Sequence, residues 1–207
     1  MVCATRGEAG GDGEVREAEL HEAARLLGVR EVRLLGFADS GMSGDADPGT
    51  LCGADVADVE TEVADALEAL RPDLVVTLDA SDGHRDHARI RDAVTSVLSG
   101  TDIPVYLQCL PRSLMHAWVR HQAGNADAAA YVELPDLGTP DDQLTTVVDT
   151  SAHRVARERA IAAHASQTSP YDGLPDDLRW AFLGQTHLAR VQPAWLGGPP
   201  ETDFLPA

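Results

Sequence analysis

The sequence predicts a layered α/β fold, with a mostly parallel sheet flanked by helices in the Rossmann-like manner, as a single domain over residues 1–207. Three observations lead there. Short apolar runs alternate with amphipathic helical stretches, the βαβα order that builds a parallel sheet. The run in "DLVVTLD" is continuously apolar, as a strand covered on both faces should be. A length of 207 residues with 43% hydrophobic but only 4% aromatic content suffices for one core made mainly of Ala, Val and Leu.

The elements follow in order. "MVCAT" reads as the end of a strand, and "RGEAGGDGE" as the loop after it. From Val15 the pattern turns helical, with Leu20, Ala23, Ala24 and Leu27 on one face and Gly28 placed to end the helix. "EVRLLGF" is a short strand leading into the polar loop "ADSGMSGDADPGT". Val56, Val59, Val63, Leu67 and Leu70 mark a second amphipathic helix that stops before Pro72. After the strand "DLVVTLD" come the loop "SDGHRDH", a third helix and the strand "IPVYLQC". Further on, "LTTVVDT" is a strand running into a long helix from about Ala152 to Ser166, and "LPDDLRWAFLGQTHLARV" adds one more helix. No internal repeat is present.

Charge and residue usage exclude several functions. The formal net charge is −18, which opposes binding to nucleic acid or to an anionic membrane surface. A neutral or cationic small molecule, or a metal ion, fits better. All 16 basic residues are arginine, so there is no Schiff-base lysine and no phosphate-loop lysine. Cys3, Cys52 and Cys109 are odd in number and far apart, which argues against a disulfide framework and for a reducing, cytoplasmic setting. No stretch approaches 18 consecutive apolar residues. "GEAGGDGE" lacks the third glycine of a dinucleotide fingerprint, and no GxSxG elbow follows any strand.

Ligands of open α/β sheets bind at the carboxyl ends of the strands. Three loops in that position are rich in polar residues: "TRGEAGG", "FADSGM" and "SDGHRDH". His84 and His87, three apart at a strand-to-helix junction, can face one point, with Asp86 to support either ring. On spacing alone, two exposed surface histidines, or an Asp-capped helix start, are the better reading. Arg16 reads as a clamp for a substrate oxygen or as a solvated first-turn residue, and Asp39 as a sugar ligand or a turn former. His164 reads as a helix-surface histidine.

Together, "CATRGEAG", "VREAELHEAARLLGV", "LLGFADSGM", "LEALRPDLVVTLDASDGHRDH" and "RAIAAHASQ" resemble, in order, segments of the LmbE-like (PIG-L) family of zinc-dependent N-acetylglucosamine deacetylases. The likeness runs from residue 2 to about residue 190. It implies hydrolysis of the acetamide of a small N-acetylated amino-sugar conjugate. It also implies His87 as a zinc ligand, His84 as the group that stabilises the oxyanion or protonates the leaving amine, and Asp86 as its orienting carboxylate. Glu8, Arg16 and Asp39 sit where members of the family contact substrate polar groups. The chain departs from the family in two places. The AHPDDE motif, which supplies the other zinc ligands and the usual general base, is not in this sequence. The expectation is therefore that the family's first strand, roughly 30 to 40 residues or one βα unit, is missing in front, leaving zinc weakly held or absent. Asp82 and Arg85 also stand where the family often has the Tyr and Pro of its Tyr-Gly-His-Pro-Asp-His run, which puts a substrate role for that tyrosine in doubt. Two functions follow: a metal-dependent deacetylase impaired in this chain, or a non-catalytic sugar-binding remnant of the same fold.

Overall fold

A computed structural model describes residues 1–123 and 136–204. The predicted single domain spans 1–207, so part of it lies outside the described residues. The first strand, β1, is Val2–Cys3. It is followed by a short 3-10 turn and by α1, Gly13–Leu26, whose N-terminus is capped by Asp12 accepting from the N–H groups of Glu14 and Val15. Gly28 ends this helix at φ 74°, a conformation that favours glycine. β2 is Arg33–Leu34 and pairs in parallel with β1 over two residues. α2, Val56–Leu70, ends where the sequence predicts, with Arg71 in the left-handed conformation ahead of Pro72.

β3, Val75–Leu78, leads through the histidine loop into α3, Arg85–Leu98, and then β4, Val105–Cys109, which pairs in parallel with β3. α2 and α3 pack Val59, Val63, Ala93, Val94 and Leu98 against Leu51 and Val105 in one core cluster. α4, Arg112–Gln122, was not expected from the sequence. It packs Met115 and Trp118 against Phe182 and Leu183 of α6, Asp176–Leu183, in a second cluster. β5 is Thr146–Asp149. The long helix expected from Ala152 to Ser166 is shorter: a 3-10 turn over Ser151–His153, then α5, Arg154–Ala162.

The last segment holds a strand as well as the expected helix. After α6 the chain forms β6, Gln185–Gln192, antiparallel to both β4 and β5. The larger sheet is therefore ordered β3-β4-β6-β5, parallel at one end and antiparallel at the other. The stretch "QTHLARV" opens with three polar residues and then sets Leu188 beside Ala189, so it lacks the strict alternation of a strand, and it follows directly on a helix.

β3 differs from its expected burial. Among the described residues it pairs with β4 only, and Val76 is 42% exposed. Among the described residues β1 likewise pairs with β2 only, and Val2 is 38% exposed. Between these two strands lies a cavity of about 810 Å³, walled on one side by Val2, Cys3 and Ala4 and on the other by Val76, Thr77 and Leu78. β3 is therefore an edge strand rather than an internal one, and its exposure comes from that open side.

Candidate active site

β3 delivers the chain into a turn that side chains fold onto the backbone. The Asp79 carboxylate accepts from Ser81 N–H at 3.1 Å, Ala80 takes a left-handed φ of 65°, and the Asp82 carboxylate accepts from His84 N–H at 3.1 Å. These Asx turns are the local reason that "DASDGH" does not continue as a strand. His84 is then the N-cap of α3, its Nδ1 accepting from Asp86 N–H at 3.2 Å. His87 lies one helical turn on, and its ring stacks on that of His84, centroids 4.7 Å apart.

The hydrogen bonds assign different protons to the two rings. Asp82, when ionised, is acceptor-only, and it lies 2.6 Å from His87 Nδ1. His87 therefore carries its proton on Nδ1 and offers the lone pair of Nε2. His84 accepts at Nδ1, so as a neutral imidazole it carries its proton on Nε2. One ring presents a ligand atom and its neighbour a donor. Burial pushes the Asp82 carboxyl up, but the bond from His87 Nδ1–H, with the N–H of His84, outweighs it and holds the group below the usual aspartate range.

Asp86 is buried, and its carboxylate turns away from the rings. It accepts from Ser40 N–H at 2.9 Å and from the Cys52 thiol at 3.2 Å. Burial raises the Asp86 carboxyl, and the Ser40 and Cys52 bonds outweigh that and keep it low, while burial and the Asp86 bond push the Cys52 thiol up. The contact of Asp86 with His84 runs through its backbone N–H. Arg85 donates to the carbonyls of Gly41 at 2.9 Å and Gly44 at 2.8 Å, so the loop after β2 is fastened to the start of α3.

Arg16, Asp39, His84, Asp86 and His87 all line the 810 Å³ cavity. Glu8 stands behind, its carboxylate accepting from Asp39 N–H at 3.2 Å. The Asp39 carboxylate closes a turn onto Gly41 N–H at 2.7 Å. Arg16 donates to Arg6 O at 3.2 Å and to the Gln167 side-chain oxygen. A Cβ on Gly7 would lie 2.5 Å from this guanidinium, so glycine there makes its room. His164, read from the sequence as a helix-surface residue, lies past the end of α5 and lines the cavity with Gln167.

Among the described residues, no three His, Cys, Asp or Glu side chains are grouped to hold a metal ion. A catalytic zinc takes three protein ligands, and His87 is one oriented donor. The donor set present does not make up a zinc site, and the chemistry that can be assigned belongs to the side chains. Asp82 was missed as the partner of His87, although its position two residues before His84 is an Asx-turn signal. Ser40, Cys52 and Gln167 were missed too, since pairings across 46, 34 and 151 residues leave no local trace.

Comparison with known proteins gives the same direction. Residues 1–98 match the family described as PIG-L, GlcNAc-PI de-N-acetylase. A 1D-myo-inositol 2-acetamido-2-deoxy-alpha-D-glucopyranoside deacetylase of Saccharopolyspora erythraea is 32% identical over 183 residues, covering 81% of this chain and 67% of that protein. The chain belongs to the PIG-L family. A deacetylase of the same description from Thermobifida fusca is 34% identical over 183 residues, covering 77% of this chain and 64% of that protein. The PIG-L chain thus spans 56% to 64% of the length of three of its relatives. In structure it resembles a conserved protein of Thermus thermophilus at a TM-score of 0.58 and 22% identity, covering 95% of this chain and 82% of that one. It also resembles the zinc-inhibited form of a teicoplanin deacetylase at 0.53 and 20%, covering 87% and 76%. Both likenesses are of fold, and they agree with the layered α/β architecture. No helix among the described residues is long and apolar enough to cross a membrane.

Proposed function

We propose that this chain carries the fold and part of the site of a metal-dependent amide hydrolase, impaired as it stands, that removes the acetyl group from a small N-acetylglucosaminyl conjugate in a reducing, cytoplasmic compartment. The observation that carries the proposal is the pair of unlike imidazoles. Water adds to the acetamide carbonyl, the C–N bond breaks, and acetate and a free amine leave. The oxygen that gains charge needs a donor already in place, and the Nε2–H of His84 is one. Because Nδ1 of His84 is occupied by Asp86 N–H, giving up the Nε2 proton would leave an imidazolate. That favours hydrogen-bond stabilisation of the oxyanion over proton donation to the amine. His87, steadied by Asp82 as ligand histidines are by carboxylates, is the donor oriented for zinc. Arg16 and Asp39, with Glu8 behind, meet the sugar's polar groups.

A second reading, a non-catalytic sugar-binding protein of the same fold, is favoured by one observation: no three-donor metal cluster among the described residues. Acetate release from an N-acetylglucosaminyl conjugate, followed over a zinc titration, separates the two. We expect weak zinc binding and slow release, abolished by His84→Ala with zinc binding kept, while His87→Ala loses zinc binding. Saturable conjugate binding with no release above a zinc-only blank at any zinc concentration would leave the second reading.

A further inference from the structure

The histidine turn is gripped from a side that the sequence did not connect with it. Thr139 is buried, and its hydroxyl donates to the Asp79 carboxylate and lies 3.2 Å from Ser81 Oγ. The adjoining N–H of Gly138 donates to Ser81 O at 2.9 Å. Thr139 is itself fixed to the end of β4, donating to Leu110 O and accepting from Arg112 N–H, both at 2.8 Å. Gly138 takes a φ of 90°, and a Cβ there would lie 2.9 Å from Arg112 Cα and from Leu110 O. The close approach thus depends on glycine. Between the two gripped residues, Asp79 and Ser81, sits Ala80 in its left-handed conformation.

We propose that Thr139 is a positioning residue for the histidine pair: its hydroxyl, clasping Asp79 and Ser81, fixes the left-handed step at Ala80 from which Asp82, His84 and His87 are set. A non-glycine residue holds such a conformation only where its surroundings over-determine it. Here the surroundings are the hydroxyl clasp and the Gly138 bond. Released, Ala80 can return to the β region, and Asp82, two residues on, moves with it. The Asp82–His87 bond at 2.6 Å then breaks, and with it the tautomer of His87. The catalytic meaning of this assignment rests on the hydrolase reading, whereas the positioning itself does not.

The test reads the histidines directly. The His87 Nδ1–H, held by a carboxylate, gives a downfield proton signal protected from solvent, assigned by its loss in His87→Ala. At constant pH we expect Thr139→Val, which keeps shape and removes the hydroxyl, to speed exchange of this proton roughly ten-fold or erase it, and to move the ring signals of both histidines. Thr139→Ser should restore them. Thr146→Val, which removes a hydroxyl of β5 still more deeply buried than that of Thr139 and bonded to Glu201 at 3.0 Å, should leave them unmoved. If Thr139→Val does not fold, Ser81→Ala weakens the clasp from the turn itself and should shift the same signals. Unchanged histidine signals in a folded Thr139→Val, or in Ser81→Ala where that variant replaces it, would overturn the proposal. So would equal shifts in Thr146→Val. Absence of acetate release by the wild-type chain would count against the hydrolase reading alone.

Discussion

The two sheets of this molecule are held by different means. β6 runs eight residues, pairs on both sides, and carries Leu188, fully buried between β4 and β5. β1 and β2 pair over two residues each. Yet Glu8, Arg16 and Asp39 of the candidate site follow these short strands. What holds their loops is a set of side-chain bonds to backbone groups, from Asp86 to Ser40, Arg85 to Gly41 and Gly44, Arg16 to Arg6, and Glu8 to Asp39. Burial is strong and non-directional, so it builds a scaffold. Hydrogen bonds fix direction, which a site requires, and each is worth only about 0.5–1.5 kcal/mol net.

The largest effect expected from this contrast lies on the scaffold side. Leu188→Ala removes a fully buried side chain from the central strand and should cost about 2–5 kcal/mol in denaturant unfolding. Val2→Ala, at a 38% exposed position in β1, should cost well under half as much. Comparable losses would mean that the small sheet is as much a part of the cooperative core as the large one.

Next in size is Asp86→Ala, on the polar side. It leaves the Ser40 N–H buried without its acceptor, a cost of about 1–3 kcal/mol. The loss should be local as well as global, so hydrogen exchange at Ser40 should quicken more than at Leu188. Uniform quickening would show that the loops unfold only with the sheet.

This contrast also explains what could be read in advance. α2 was legible from Val56 to Leu70 because its apolar period is 3.6 and Pro72 stops it. α3 and β4 were legible for similar reasons. β6 was not, because Gln185, Thr186 and His187 are polar in a row and Leu188 adjoins Ala189, so no alternation marks a strand there. α4 carries Leu114, Met115, Trp118 and Val119 at helical spacing, but it is short and no capping side chain marks its start. In the site, the histidines could be named from spacing and resemblance. Their tautomers could not, since these depend on the bonds from Asp82 and from Asp86 N–H. Thr139 carries no local signal at all.

Acid should act on the scaffold through His187 of β6. Burial lowers the pKa of this histidine, and the nearby Asp141 charge only partly restores it. The folded state thus binds its proton less readily than the unfolded state, whose value is about 6.5. Between the lowered value and 6.5 the unfolded chain holds more protons, so stability rises with pH through that window. Above the window this contribution is fully present, and it is lost as pH falls through the folded value. Melting of the wild type and of His187→Gln between pH 7.5 and pH 5 should show a slope in the first that is reduced in the second. Parallel curves would remove His187 from the account.

The smallest effect belongs to the turn at Ala80. An L-residue in the left-handed region costs about 1–2 kcal/mol, and Ala80 sits there at φ 65°. Ala80→Gly relieves that strain but raises the entropy of the unfolded chain by about 0.4–1 kcal/mol. The difference leaves about 0–1.6 kcal/mol in favour of glycine, so the melting point should stay level or rise. Ala80→Val should lower it, because a β-branched residue fits the left-handed region worse than alanine does. Both substitutions touch the same turn, so their difference isolates the backbone. If glycine proves clearly destabilising, alanine's methyl makes a contact that outweighs its strain, and the turn is then held by packing as the large sheet is. If valine is tolerated, the Thr139 clasp is loose enough for the step to relax, and the histidines should show it by exchanging the Nδ1 proton of His87 faster.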